Sequence, residues 1–273
     1  MIYLLSLLFG LIEGISEWLP ISSTGHLLLF NSLVDFAVSE EFYKVYEVVI
    51  QLAAVSALVV LFFPQLWPFG KSDEPLGKIS WIKGDIFTMW LKIAVACLPA
   101  VVVGLTIDDL ANELFYHPLP VALALIIFGV LMLGAEWLNK DKEPKITSVK
   151  QFSYTHAILI GLAQCLAAIF PGASRSACTV ITALLLGSDR RSASKFSFFL
   201  SIPVMFGASL LKIVKAGVLF GGKELLILAV GMISAFLTSL QVIKYFMRFI
   251  RKHNFKPFAI YRIFLGILIL IIL

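Results

Sequence analysis

Glu13 and Glu17 sit four residues apart inside a run that otherwise reads as membrane helix, GLIEGISEWLPISSTGHL over residues 10–27. That spacing puts both carboxylates on one helical face. Pro20 ends the helix, and Ser22-Ser23-Thr24-Gly25-His26 follows at once. An ionisable side chain at bilayer depth is costly unless it is paired, so acids here point to a function. Two carboxylates, three hydroxyls and an imidazole within fourteen residues offer a nucleophile and a base. The hydroxyls also suit capping of the next helix, and a helix N-terminus attracts anions, so the two roles are compatible. Gly25 suits a tight turn with positive φ.

A second polar group lies about 150 residues further on, in another broken apolar region of the kind that builds midplane sites. It reads Pro171-Gly172-Ala173-Ser174-Arg175-Ser176. The planar fork of Arg175 suits phosphate oxygens better than lysine would, and Ser174 and Ser176 flank it as donors. The bland alternative is an arginine paired with Glu13 or Glu17 for structure alone. One acidic tip with a histidine and one basic tip make a site for phosphoryl transfer. Glu17 and His26 are then expected within one phosphate's reach of Arg175. Glu47 and Gln51, four apart, either line the same cavity or sit at the membrane interface beside Lys44.

The elements that carry these groups follow from composition. The 273 residues are 60% hydrophobic and only 14% charged, too few charges for a soluble surface. The chain reads as an all-α polytopic membrane protein. Six full spans are expected at about 44–66, 86–106, 119–138, 195–216, 224–246 and 257–273, each near the length a bilayer helix needs. Two apolar regions, about 1–38 and 154–187, are broken at the polar groups just described. They read as re-entrant helical hairpins, because irregular backbone at that depth must be buried in protein or line a wet cavity. Gly10 and Pro20 match Gly161 and Pro171 in spacing, Leu11 matches Leu162, and Ser23 matches Ser174. Three spans follow each hairpin, an odd number, so the second copy enters from the opposite side. That makes an inverted-topology repeat within a single membrane domain, with halves of about 1–138 and 154–273.

Charge sets the orientation. With the N-terminus outside, the loops 67–85, 139–153, 188–194 and 247–256 and their flanks carry Lys71, Lys78, Lys83, Lys140, Lys142, Lys145, Lys150, Arg190, Arg191, Arg248, Arg251, Lys252 and Lys256 inside. Loop 107–118 carries Asp108, Asp109 and Glu113 outside. Lys212, Lys215 and Lys223 fall on the outer side and run against the rule. The net charge of +5 therefore reflects membrane orientation and excludes a nucleic-acid partner. Cys97, Cys165 and Cys178 lie in apolar runs and read as small core residues. Trp67, Trp90, Trp137 and Trp18 read as interfacial anchors. No P-loop, GxGxxG or HExxH pattern is present, so no nucleotide or organic cofactor is expected. The first residues, MIYLLSLLFG, have no positive region before the apolar run, unlike a cleaved signal peptide.

These residues resemble the undecaprenyl pyrophosphate phosphatase, or bacitracin-resistance, family across nearly the whole chain. The resemblance rests on Glu13-Gly14-Ile15-Ser16-Glu17-Trp18-Leu19-Pro20-Ile21-Ser22-Ser23-Thr24-Gly25-His26 and on Pro171 to Ser176. Tyr46 to Leu52 and Pro257-Phe258-Ala259-Ile260-Tyr261-Arg262 add to it. It implies an enzyme of the bacterial inner membrane, with a site opening to the outer face. That enzyme removes the terminal phosphate of a C55 polyprenyl diphosphate and so recycles the carrier for cell-wall synthesis. It implies Glu13, Glu17, Ser23 and His26 as the catalytic set and Arg175 as the phosphate clamp, with Ser22, Thr24, Ser174 and Ser176 around the phosphates. Either Ser23 or His26 attacks phosphorus or activates the attacker. Glu13 and Glu17 either orient His26 or hold a divalent cation, Mg2+ or Ca2+; bare carboxylates would repel a diphosphate, which calls for either a metal or protonation of one acid. Ala177 and Ala53 stand where the family usually has glycine, and Lys195 where it often has an acid. A transporter of the lipid carrier is the rival reading, because inverted repeats with broken helices are also its architecture. A homodimer is left open.

Overall fold

The computed structural model describes residues 1–71, 75–77, 79–216 and 220–273, and the side chains of all of these except Pro75, Asp108, Asp109, Asn112 and Ala216. Lys78, and the side chains of Asp108 and Asp109, on which part of the orientation argument rests, lie outside the described set. The chain runs α1 (Ile2–Ser16), α2 (Ser23–Leu33), α3 (Glu40–Leu66), β1 (Pro75–Leu76), β2 (Ile79–Lys83), α4 (Gly84–Thr106), α5 (Asp108–Phe115), α6 (Pro118–Leu138), α7 (Tyr154–Ile169), α8 (Arg175–Leu185), α9 (Arg190–Ala216), α10 (Gly222–Phe249) and α11 (Lys256–Ile272). Among the described residues, five helices are long and apolar enough to cross a membrane: α3, α4, α6, α9 and α10. This is a polytopic helical membrane protein. The expected span at 257–273 forms α11, a helix of 17 residues, about 26 Å long.

Several helices begin at a polar residue whose side chain satisfies a free N–H group. Ser39 Oγ, for instance, accepts from Phe42 N–H at 3.2 Å at the start of α3. Two loops hold more structure than their composition suggests. Loop 107–118 contains the short helix α5, and loop 67–85 contains the antiparallel pair β1–β2.

Small residues set the helix spacing. Gly10 and Gly14, four apart on α1, lie against Gly231, Ala235 and Thr238 of α10. Gly161 of α7 lies against the backbone of Ala96 in α4. Without a hydrophobic driving force between helices in lipid, such close backbone approach is what holds them together. Tyr46 then ties three helices: its hydroxyl donates to Ser6 O at 2.8 Å and pairs with Ser6 Oγ at 2.9 Å, and Ser6 Oγ donates to Ile227 O at 2.6 Å. The packing also repeats. Helix α1 packs on α10 as α7 packs on α4, α3 packs on α10 as α4 packs on α9, and α6 lies along α11.

Trp18 corrects one expectation. It is fully buried, with its ring edge-on to Phe198 at 5.2 Å, so it fills the core and anchors nothing at the interface. Trp67 and Trp137 are exposed. Trp90 is half-buried and donates to Leu66 O at 2.7 Å.

Replacing Gly10 with leucine should force α1 away from α10, at a cost of roughly 1–3 kcal/mol. Thermal unfolding in detergent should show a lower midpoint for Gly10→Leu. Gly134→Leu, where an added side chain meets nothing within 4 Å, should leave the midpoint unchanged.

Candidate active site

Helix α1 carries the two acids inward. Glu13 and Glu17 are 1% and 7% exposed. Glu17 caps the helix in αR conformation, its N–H bonded to Glu13 O at 3.0 Å, so the carboxylates stack one turn apart as their spacing requires. A turn over 17–21 leads to Ser22, whose φ is 72°. Its Oγ accepts from Gly25 N–H at 3.4 Å and caps α2. The positive φ falls on Ser22 and not on Gly25, which lies inside the helix. Gly25 is instead a point of close approach, where a Cβ would press on Leu125.

The second tip is built the same way. Gly172 has φ 95°, and an added Cβ would meet the backbone of Val121, so only glycine fits there. Ser174 has φ 68°, and its Oγ accepts from Ala177 N–H at 3.4 Å to cap α8. The conformational twin of Ser174 is therefore Ser22, not Ser23. The second turn is one residue longer, which shifts the match by one. A non-glycine residue in the left-handed region costs about 1 kcal/mol or more, and such strain gathers at functional sites.

The two tips meet. Arg175 Nη2 donates to Glu17 Oε1 at 3.0 Å, and Ser23 Oγ donates to Glu17 Oε2 at 2.8 Å. Arg175 Nη1 is held by Ser197 O of α9 at 3.0 Å, and the hydroxyls of Ser174 and Ser176 lie 3.0 Å apart. A cavity of about 270 Å³ opens on this cluster. Its lining includes Glu17, Ser22, Ser23, Thr24, Ser174, Arg175 and Ser176. The N-termini of α2 and α8 thus face one space, where their free N–H groups favour an anion. Gln51 also lines the cavity. Glu47 lies behind that wall, accepting from the Tyr116 hydroxyl at 3.2 Å.

Two of the predicted residues lie elsewhere. Glu13 is not part of the cavity wall, and its Oε1 is buried with no hydrogen-bond partner. His26 does not reach the cavity either. Its Nδ1 lies 2.7 Å from Ser22 O and its Nε2 2.8 Å from the Tyr261 hydroxyl, with the two rings stacked. The carbonyl requires the proton on Nδ1, so Nε2 accepts from tyrosine. The expected approach to Arg175 holds for Glu17 and not for His26, because both imidazole nitrogens are engaged by the strained Ser22 and by α11.

As they stand, Glu13 and Glu17 do not make a site for a divalent cation. Carboxylate oxygens suit Mg2+ or Ca2+, and Glu13 Oε1 is an oxygen without a partner, but both Glu17 oxygens are already engaged. No third His, Cys, Asp or Glu joins the pair among the described residues.

Arg262 was not assigned a role by its sequence. It is fully buried in α11, donating through Nη2 to Gly172 O at 2.9 Å and Ala173 O at 2.8 Å, and through Nη1 to Pro20 O at 3.3 Å. One guanidinium therefore clasps the backbone of both tips. Its signal was available, since an arginine inside the apolar run 257–273 meets the same criterion as Glu13. The departures at Ala177 and Lys195 are absorbed locally. Ala177 is buried and bonded to Ser174, and the Lys195 ammonium lies over the rings of Phe62 and Phe199.

Residues 6–268 match the family described as bacitracin resistance protein BacA. The chain belongs to that family. It is 47% identical to undecaprenyl-diphosphatase 1 of Clostridium acetobutylicum over 266 residues, which cover 97% of this chain and 95% of that protein. Identity to the undecaprenyl-diphosphatase of Lachnoclostridium phytofermentans is 48% over 269 residues, or 98% and 96% of the two chains. For that of Enterococcus faecalis it is 45% over 263 residues, or 96% and 94%. The BacA match spans both tips and the Arg262 clasp.

Arg262→Met should strip three buried carbonyls of their donor. A loss of about 2–4 kcal/mol is expected, visible as a lower thermal midpoint in detergent and as faster proteolysis near Pro20 and Gly172. An unchanged midpoint would show that the clasp is not structural.

Proposed function

We propose that this membrane protein hydrolyses undecaprenyl diphosphate to undecaprenyl phosphate and inorganic phosphate, recycling the lipid carrier for cell-wall synthesis and thereby giving bacitracin resistance. The observation that carries the reading is Glu17 held between Arg175 and Ser23 at the meeting of two helix N-termini. Chemically this is a nucleophile on a base, beside a guanidinium and free N–H groups, in an anion-attracting cavity.

Arg175, the tip N–H groups, Thr24 and the hydroxyls of Ser22, Ser174 and Ser176 hold the terminal phosphate. Ser23 Oγ attacks its phosphorus as Glu17 takes the hydroxyl proton. The bond to the bridging oxygen breaks and the prenyl phosphate leaves. Water then attacks the phosphoserine phosphorus, its proton passing to a phosphate oxygen, while the P–Oγ bond breaks and Glu17 returns its proton to Ser23 Oγ, releasing free phosphate. Ser23 is preferred to His26 as nucleophile because its Oγ already sits in the cavity on a carboxylate. His26 would have to break two hydrogen bonds to reach the phosphorus, so we assign it the role of fixing Ser22. No step here runs through a divalent cation, because Ser23 and Arg175 occupy both Glu17 oxygens and Glu13 lies outside the cavity wall.

The topology we propose is six spans and two re-entrant hairpins in an inverted repeat, with halves of about 1–138 and 154–273. Three features support it: the paired positive-φ serines Ser22 and Ser174, the close-packed glycines Gly10 and Gly161, and the exchange of packing partners between the halves. The charge distribution supports an inner-membrane location with the cavity opening outward.

Phosphate release from a C15 prenyl diphosphate by purified protein tests the reading. Sustained turnover is expected, falling by about 10²-fold or more in Glu17→Gln, Arg175→Ala and Ser23→Ala. Near-full turnover by Ser23→Ala would sink the serine mechanism. No release, with lipid movement in liposomes, would favour the transporter.

A further inference from the structure

Lys212 is one of three lysines that run against the charge rule for orientation. Its position gives it a use. Val204, Ala208 and Lys212 fall at successive steps of four along α9 and line the same cavity as Ser23 and Arg175. The wall therefore extends from the tips toward the C-terminal end of α9, about 12 Å from Val204 to Lys212 along the helix. Side chains on a helix lean toward its N-terminus, so the Lys212 stem leans from the cavity mouth back toward the tips. Among the described residues, the lining carries two cations, Arg175 and Lys212.

Charge makes the second cation necessary. Arg175 is already paired with Glu17. The Glu13 carboxyl lies one helical turn behind Glu17, outside the cavity wall. An approaching diphosphate thus meets, at the inner end, a guanidinium whose charge is already offset by a carboxylate. Lys212 is exposed, so it can meet an anion before that anion is desolvated.

We propose that Lys212 is a capture residue at the cavity mouth, binding the diphosphate headgroup of the prenyl lipid and passing it to Arg175. This rests on the phosphatase reading and its outward orientation. A flexible ammonium suits the task, because it holds phosphate as a point charge without fixing one geometry. The bland alternative is that Lys212 merely offsets Glu47, on whose carboxylate its charge acts.

The test is steady-state kinetics on a C15 prenyl diphosphate in detergent micelles at low and high salt. Lys212→Met should lower kcat/KM about tenfold at low ionic strength, with kcat within about twofold of wild type. The gap should close at roughly 0.5 M salt, where exposed charges are screened. Lys212→Arg should stay within about threefold of wild type, and Lys223→Gln, a lysine outside the cavity, should change nothing. A kcat/KM for Lys212→Met within twofold of wild type at low salt would overturn the proposal. So would recovery of full kcat/KM on adding Glu47→Gln, which would leave Lys212 as a partner of Glu47 alone, or a loss confined to kcat. A wild-type protein that releases no phosphate would instead overturn the phosphatase reading, and Lys212 as a capture residue with it.

Discussion

The Glu17–Arg175 ion pair joins the two hairpin tips. Either charge left buried without the other would cost several kcal/mol, a large share of the margin that holds a fold together. The pair therefore fixes the two tips to each other, although 158 residues separate its members. It also fixes the chemistry, because the second oxygen of Glu17 receives Ser23. The helices must break where they do for this to happen. A continuous helix would bury those N–H groups in its own ladder, whereas a helix that starts beside the cavity presents them to it.

Around the pair, the fold supplies stiffness. Arg262 holds the carbonyls behind each tip, and His26 holds Ser22 against Tyr261. Glycine crossings seat α1 on α10 and α7 on α4, so the helices leading into the tips have little room to shift. A second ion pair, between buried Glu136 and partly exposed Arg190 at 2.6 Å, ties the start of α9 to the end of α6, and Glu136 also accepts from Phe255 N–H at 2.8 Å. The strained serines persist because their surroundings over-determine them. Membership of the BacA family and the undecaprenyl-diphosphatase relatives agree with the chemistry of such a site.

Much of this was legible in the sequence, and the reason is solvation. Charges in an apolar run stand out because lipid cannot hydrate them, so Glu13, Glu17 and Arg175 announced a site and the long runs announced their spans. What stayed hidden depends on geometry that residue types do not encode. The acceptors of Arg262 are backbone carbonyls, which every residue carries. The direction of His26 follows from a tyrosine 235 positions away. Gly25 was the natural candidate for a positive φ, yet capping placed it on Ser22. Matching the two hairpins by Gly10 and Pro20 carried the register one residue too far, because the turns differ in length. Trp18 reads as an anchor by type and is core by position. Lys212 ran against the charge rule, and only the course of α9 shows that it faces the cavity.

The mechanism stands on Ser23 as the atom that accepts the phosphoryl group. The direct measurement is to quench turnover of a prenyl diphosphate labelled in its terminal phosphate and to map the label on the protein. An acid-stable phosphoserine at Ser23, absent in Glu17→Gln, is the expected result. An acid-labile phosphohistidine at His26, or turnover with no covalent intermediate at any quench time, would contradict it.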